Sequence, residues 1–240
     1  MKSKPIILLT GTIVPNVIDG NSLSVDERRN DYLKAIKYYC QYGKVVFIEN
    51  SEYDFASDYA FSNIKNLSII QFPKSEYCEK GKGYQEFEMI DNYIKKHGDN
   101  IESFIKITGR YIISEFESIY EDAKNADVPL IMDTSYKDEH ALTYMFYTTV
   151  DFYRKNLLGL HKKCDDNKHK GSVEDVMYAF LHSSDEIPYR FFLHAYNIIG
   201  RAGSTGAKLI NRKIWKLWRR TYISRKFRYY VLRRKELRGV

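Results

Sequence analysis

Short runs of consecutive apolar residues alternate with amphipathic stretches along most of the chain. Residues 5–9 (Pro-Ile-Ile-Leu-Leu) form the first run and lead into Thr10-Gly11-Thr12. This reads as a buried strand and not as a signal segment, because the run is short and no small-residue cleavage site follows it. Residues 44–51 form a second run ending in Glu49, Asn50 and Ser51. Such continuous runs suit parallel strands covered on both faces. Between the two, Ser24 and Glu27 have capping-box spacing, in which each side chain satisfies an orphan donor at the helix start. The helix that follows puts Tyr32, Leu33, Ile36, Tyr39 and Cys40 on one face, and Gly43 stops it.

The same alternation predicts further strands at residues 67–72, 104–108 and 129–133, and helices at 84–96 and 114–125. Beyond Asp133 the order loosens. Residues 141–149 predict a strand leading into a helix that ends near Leu158, and 165–171 a loop. Residues 173–181 predict a helix, while 190–199 fit helix or strand. Strands and helices at short intervals argue for an α/β class with a mainly parallel central sheet and helices on both faces. No repeat at a solenoid period occurs.

Charge divides the chain. The formal net charge is +7, yet residues 208–240 hold 13 Lys and Arg against the single acid Glu236. That makes the tail +12 and the remaining body −5, an acidic globule with a basic extension. A uniformly basic nucleic-acid binder is a different pattern. The three cysteines, Cys40, Cys78 and Cys164, have neither disulfide-framework nor zinc-ligand spacing and fit a reducing compartment.

Three polar groups follow predicted strand ends, where open α/β sheets place their ligands. They are Thr10-Gly11-Thr12 with Arg29 and Asp31 in the next helix, Glu49-Asn50-Ser51, and residues 106–111, Lys-Ile-Thr-Gly-Arg-Tyr. A carboxylate or amide there can hydrogen-bond a base or ribose, and Lys106 with Arg110 can neutralise a diphosphate. Polar strand ends also occur in any α/β protein, so each group has an ordinary structural reading. Gly81-Lys82-Gly83 precedes a helix whose amides can hold an anion, although a plain glycine turn has the same appearance. The sequence contains no Asp-x-Asp, no Walker A loop, no Gly-x-Gly-x-x-Gly, no nucleophile elbow and no His pair at helical spacing. Nicotinamide oxidoreductases and elbow-type hydrolases are thereby disfavoured.

Taken in order, six segments resemble a bacterial glycosyltransferase family that serves lipopolysaccharide, O-antigen or capsule assembly. They are residues 7–13, the Arg29 to Leu33 stretch, 46–51, Gly-Lys-Gly-Tyr-Gln-Glu at 81–86, Phe-Ile-Lys-Ile-Thr-Gly-Arg-Tyr at 104–111, and Gly-Ser-Thr-Gly at 203–206. The resemblance spans roughly residues 6–206 and implies a GT-A-like domain over 1–206 that binds a nucleotide-diphospho-sugar donor. By this resemblance Thr10, Gly11 and Thr12 line the nucleotide, and Glu49, Asn50 and Ser51 sit near base or ribose. Lys82 and Gly83 would close over the donor, and Lys106 and Arg110, with Thr108 and Gly109 between them, would face the diphosphate. Arg29 falls in the donor-binding stretch. The departure is the missing Asp-x-Asp, which in related folds holds a divalent Mg or Mn. Lysine and arginine stand about where that motif is expected, so no cofactor is firmly implied.

Glycosyl transfer also calls for a carboxylate to accept the proton of the acceptor hydroxyl or to stand near the anomeric carbon. Glu174, at the start of the late helix, is the first candidate, followed by Asp138 and Glu86. Glu174 is also a favourable helix N-terminal acid. The implied partners are the nucleotide sugar and a lipid-linked or surface-polysaccharide acceptor, with no nucleic acid. The rival readings are a sugar nucleotidyltransferase and a non-enzymatic protein that binds membrane or nucleic acid.

Residues 207–240 form the basic tail. At 100° per residue, Ile210, Ile214, Trp215, Leu217, Trp218 and Tyr222 fall on one arc, opposite Arg212, Lys213, Lys216, Arg219 and Arg220. Two Trp on an apolar stripe backed by Lys and Arg compose an interfacial helix for an anionic lipid surface, each basic side chain contributing about 1 kcal/mol. Packing on its own domain, or RNA or partner binding, are the competing readings. The tail points to peripheral association with the cytoplasmic face of the cell membrane. The full chain is expected to co-sediment with anionic vesicles and a chain ending at Gly206 to stay in the supernatant; equal binding by both would sink the membrane reading.

Overall fold

The computed structural model describes residues 3–15, 23–135 and 139–201. In chain order the elements are β1 (Ile6–Gly11), α1 (Val25–Tyr39), β2 (Val45–Glu49), the single turn α2 (Tyr59–Ser62), β3 (Leu67–Gln71), α3 (Lys82–His97), β4 (Ser103–Thr108) and β5 (Ile112–Ile113). They continue with α4 (Phe116–Lys124), β6 (Leu130–Ser135), β7 (His140–Thr149), α5 (Val150–Phe152), α6 (Val173–Leu181), β8 (Tyr189–Arg190) and β9 (Ile198–Ile199).

Successive side chains on a strand point to opposite faces, and here both faces are apolar. Ile6, Leu8, Val46, Ile48 and Phe104 pack with α3 and α6 on one side. Ile7, Leu9, Val45, Phe47, Ile105 and Ile107 pack with α1 and α4 on the other. The continuous apolar runs of the sequence are therefore strands buried on both faces. Each fully buried Ile, Leu or Phe contributes about 1.5–3 kcal/mol relative to exposure. The expected class holds: a seven-stranded sheet in the order β3-β2-β1-β4-β7-β6-β8, with helices on both faces.

Strands β3, β2, β1 and β4 run parallel, as does the pair β6 and β8. Only β7 among these seven runs against its neighbours β4 and β6. A separate two-stranded pair joins β5 to β9. Residues 190–199, ambiguous in the sequence, thus supply parts of two short strands with loop between.

Most predicted elements are found within a few residues of their expected ends. The Ser24–Glu27 capping box is formed in both directions. Gly43 has a different role from the one expected, because α1 ends at Tyr39, before it. A Cβ at Gly43 would lie 2.5 Å from the Tyr120 hydroxyl, so the glycine admits a close approach between the α1–β2 turn and α4.

The turn after β4 has a comparable constraint that matters more. The Gly109 amide donates to the Thr10 carbonyl at 2.8 Å, joining the turn to the end of β1. A Cβ there would stand 2.6 Å from that backbone oxygen, which cannot swing aside as a side chain could. Gly109→Ala is expected to cost about 1–3 kcal/mol through overpacking, read as a lower urea midpoint with an unchanged slope; an unchanged midpoint would show that the turn has room.

Candidate active site

Period-two alternation and register together bring a set of polar side chains to one edge of the sheet. Leu8 is paired with Lys106 and Thr10 with Thr108, so Thr10, Lys106 and Thr108 share the face covered by α3. Lys106 has no exposed surface. Its Nζ lies 2.8 Å from Glu86 Oε1 on α3, donates to the Thr143 carbonyl of β7 at 2.8 Å, and donates to Thr108 Oγ1 at 3.2 Å. The ammonium thus makes two hydrogen bonds and one ion pair within the protein.

The Thr10 and Thr108 hydroxyls also donate to Glu86 Oε1. Three donors therefore converge on one carboxylate oxygen, while Oε2 has no hydrogen-bond partner among the described residues. Thr143 extends the network by donating its hydroxyl to Glu174 Oε1 at 2.8 Å. The start of α6 is capped by Ser172 and Asp175 in a second capping box. Glu174 is thus not needed as a cap acid, and its carboxylate is turned toward β7.

A second polar layer shapes the loop after β1. Glu49, fully buried, accepts from the Ile13 amide through Oε1 at 2.9 Å and from the Ser51 amide through Oε2 at 3.0 Å. Ser51 Oγ donates to the same carboxylate and accepts from the Val14 amide. Thr12 Oγ1 donates to Asn50 Oδ1 at 2.6 Å, and the Thr12 amide donates to the Tyr32 hydroxyl at 2.9 Å. Arg28 donates from Nε to the Thr12 and Ile13 carbonyls. The polar atoms of Glu49 and Ser51 are thereby engaged in holding the backbone of residues 12–14.

Arg110 closes the site from the β4–β5 turn. It is 7% exposed, and its Nε and Nη1 are buried without a hydrogen-bond partner among the described residues. Its guanidinium carbon stands 5.7 Å from the Tyr32 ring centroid, a cation–π contact. Burial lowers the Arg28 guanidinium from its ordinary value, and the charge of Arg110 adds to that shift. Burial raises the neighbouring Tyr111 phenol; the Arg110 charge opposes the shift, whereas Glu86 and Glu174 add to it. Tyr111 therefore feels Arg110, Glu86 and Glu174 together, and the two polar layers make one electrostatic environment.

Other sequence candidates have different partners. Arg29 grips Asp58 through Nε at 2.7 Å and Nη2 at 2.5 Å, which holds the Asp58 carboxyl down at about 2. Lys82 is exposed, and its backbone amide donates to the Asp166 carboxylate, so the start of α3 already has an anion. Gly83 packs against Val173 at the start of α6, and Gly11 against Phe47. Asp138, Trp215, Trp218, Arg219 and Arg220 lie outside the described residues, as does the whole tail.

The residues that sequence reasoning missed are Thr143 and Arg28; Tyr32 and Tyr111 lay within segments it singled out, without a role assigned. Thr143 gave a signal as a small polar residue within a mostly aromatic and apolar strand. Among the described residues no group of three or more His, Cys, Asp or Glu is placed to hold a metal ion. The β4–β5 turn carries the cation Arg110 where a metal would need an anionic ligand. No helix among the described residues is long and apolar enough to cross a membrane.

The chain matches no protein-family model and no curated protein in sequence. Among solved structures it is similar to galactosyltransferase LgtC in complex with donor and acceptor sugar analogues, at a TM-score of 0.50 and 8% identity over 79% of this chain and 74% of that one. It is also similar to the glycosyltransferase GlyE of Streptococcus pneumoniae TIGR4 (TM-score 0.48, 12% identity, 79% of this chain and 45% of that chain). A CMP:2-keto-3-deoxy-manno-octonic acid synthetase complexed with CTP gives a TM-score of 0.46 at 10% identity, over 79% of this chain and 89% of that chain. The fold is GT-A-like.

Because Lys106 is satisfied only by its partners, removing one side of the pair leaves an uncompensated charge. Lys106→Met is expected to cost about 3 kcal/mol in urea unfolding, and the double variant Lys106→Met/Glu86→Gln to recover part of that loss. Strict additivity of the two single changes would show that they do not interact.

Proposed function

We propose that this protein is a glycosyltransferase that moves a sugar from a nucleotide-diphospho-sugar to a hydroxyl of a lipid-linked or surface-polysaccharide acceptor. The observation that carries the reading is Arg110, a buried guanidinium with two nitrogens unpartnered among the described residues, at the strand ends where α/β proteins bind ligands. A buried cation without a counter-ion is costly, and a second buried arginine, Arg28, lies near enough for its charge to be felt. An incoming diphosphate would relieve that cost through charge-assisted hydrogen bonds.

In this reading Arg110 receives the diphosphate and stabilises the negative charge that grows on it as the anomeric carbon–oxygen bond breaks. Lys106, fully buried and ion-paired with Glu86, is a positioning residue that fixes Glu86. Glu174, held by one hydrogen bond from Thr143, takes the proton of the acceptor hydroxyl as its oxygen bonds to the anomeric carbon. Glu86 Oε2 faces the reacting groups and orients the donor sugar. The backbone of residues 12–14, shaped by Glu49, Asn50, Ser51 and Arg28, lines the nucleotide. The glycosyltransferase LgtC has the same fold. The basic tail would hold this site against the cytoplasmic membrane surface and its lipid-linked acceptor.

The test is a thermal-shift panel of nucleotide sugars. At about 100 times its dissociation constant, a ligand bound only by the native state adds about 2.7 kcal/mol, or roughly 5–10 °C for a protein of this size. One donor class should raise the melting temperature, Arg110→Gln should abolish the rise, and transfer should fall about 10²–10³-fold. Turnover should persist in a chelator. If no nucleotide sugar shifts the transition, the transferase reading fails; pyrophosphate release from a nucleoside triphosphate would establish a nucleotidyltransferase instead.

A further inference from the structure

A cavity of about 380 Å³ lies against α3 on the side away from Glu86. Tyr84, Glu88, Asn92 and Lys95 recur at three- and four-residue intervals and form one stripe, roughly opposite Glu86 at 100° per residue. Lys80, from the turn before the helix, and Lys162 complete a wall with three lysines against one carboxylate. The size falls at the small end of ligand pockets, about 300–1,000 Å³.

The chemistry of the lining is selective. Lys80 Nζ sits 4.5 Å from the Tyr77 ring centroid and 5.0 Å from that of Tyr84, held between two aromatic faces. Tyr77 is 43% exposed and offers its ring to a ligand. His161 forms the back of the cavity, edge-on to Tyr84 at 4.9 Å. Its Nδ1 is 2.8 Å from Asp91 Oδ2, though not aligned for a hydrogen bond. Asp91, 1% exposed, is fixed in turn by the Tyr153 hydroxyl and the Gly159 amide, both at 2.7 Å. The back wall is therefore built on a buried carboxylate with its own donors, and the lysines and Tyr77 form the open front.

We propose that this pocket binds a small anionic sugar, a pyranose bearing a phosphate or a carboxylate, apart from the candidate active site. An exposed aromatic ring packs against the apolar face of a pyranose. Asn92 and Glu88 supply an amide and a carboxylate for sugar hydroxyls. Lys80, Lys95 and Lys162 are point charges for the anionic group. The inference stands on the pocket and does not need the transferase reading.

The test is isothermal titration calorimetry on the full chain with glucose 6-phosphate, glucuronate, glucose and inorganic phosphate. Both anionic sugars are expected to bind, and glucose and inorganic phosphate to bind at least tenfold more weakly. Lys95→Glu and Tyr77→Ala, both at exposed positions, should each weaken the anionic sugars tenfold or more with an unchanged far-UV spectrum. Arg110→Ala should leave that binding intact. The proposal is overturned if neither anionic sugar binds, if inorganic phosphate binds as tightly as glucose 6-phosphate, or if Arg110→Ala abolishes binding while the pocket variants do not. Failure of the transferase reading would appear separately, as an absent nucleotide-sugar shift with this pocket's binding preserved.

Discussion

Lys106 has no exposed surface, and its charge is sustained there because it pairs with Glu86 and donates to Thr108 and the Thr143 carbonyl. Desolvating an ammonium costs several kcal/mol before such partners are counted. The partners come from α3, β4 and β7, so a single side chain ties a helix and the antiparallel strand to the parallel part of the sheet. Glu86, once fixed, draws in Thr10 from β1. Thr143 passes the constraint on to Glu174 of α6. Four parts of the chain that are distant in sequence are thus held by one desolvated charge.

The same constraint explains why two cations four residues apart do different things. Lys106 points into the layer beneath α3 and is neutralised by the protein. Arg110 lies beyond the strand, on a turn that Gly109 brings against the Thr10 carbonyl, and two of its nitrogens have no partner among the described residues. The first cation makes the site rigid and the second leaves it electrostatically incomplete. In the proposed reading, a cation already in place for an incoming anion is what stabilisation of a leaving group calls for.

Much of this was legible in the sequence, for physical reasons that also mark where legibility ends. Strands buried on both faces read as unbroken apolar runs, and residues 6–9 and 45–48 do so. The Ser24–Glu27 box is local and was readable; the Ser172–Asp175 box went unread because aspartate stands where glutamate is usual. Strand direction leaves no trace in periodicity, which is why β7 emerged as antiparallel only in the structure. The polar strand ends were found as candidates, yet their bonding was not, because it depends on partners far away in the chain. Lys106 meets Glu86 and Thr143, and the amide of Lys82 meets Asp166. Arg28 went unnoticed because its value lies in two backbone carbonyls, which carry no residue identity.

The pairing of β5 with β9 concerns the order of assembly. Ile112 and Ile113 are hydrogen-bonded to Ile199 and Ile198, and Asn197 reaches Glu115 across 82 positions of chain. Arg201 then ties the end of this segment to Glu27 and Asp31 of α1. Contacts that close so long a loop form late, since the loop's entropy is lost before they are gained. The sheet strands β1 to β4 can pair before residue 190 has been synthesised, but the turn carrying Arg110 acquires its last neighbours only afterwards. A nascent chain would therefore complete its scaffold first and the turn carrying Arg110 last, so the cost of burying that guanidinium falls on a framework already folded.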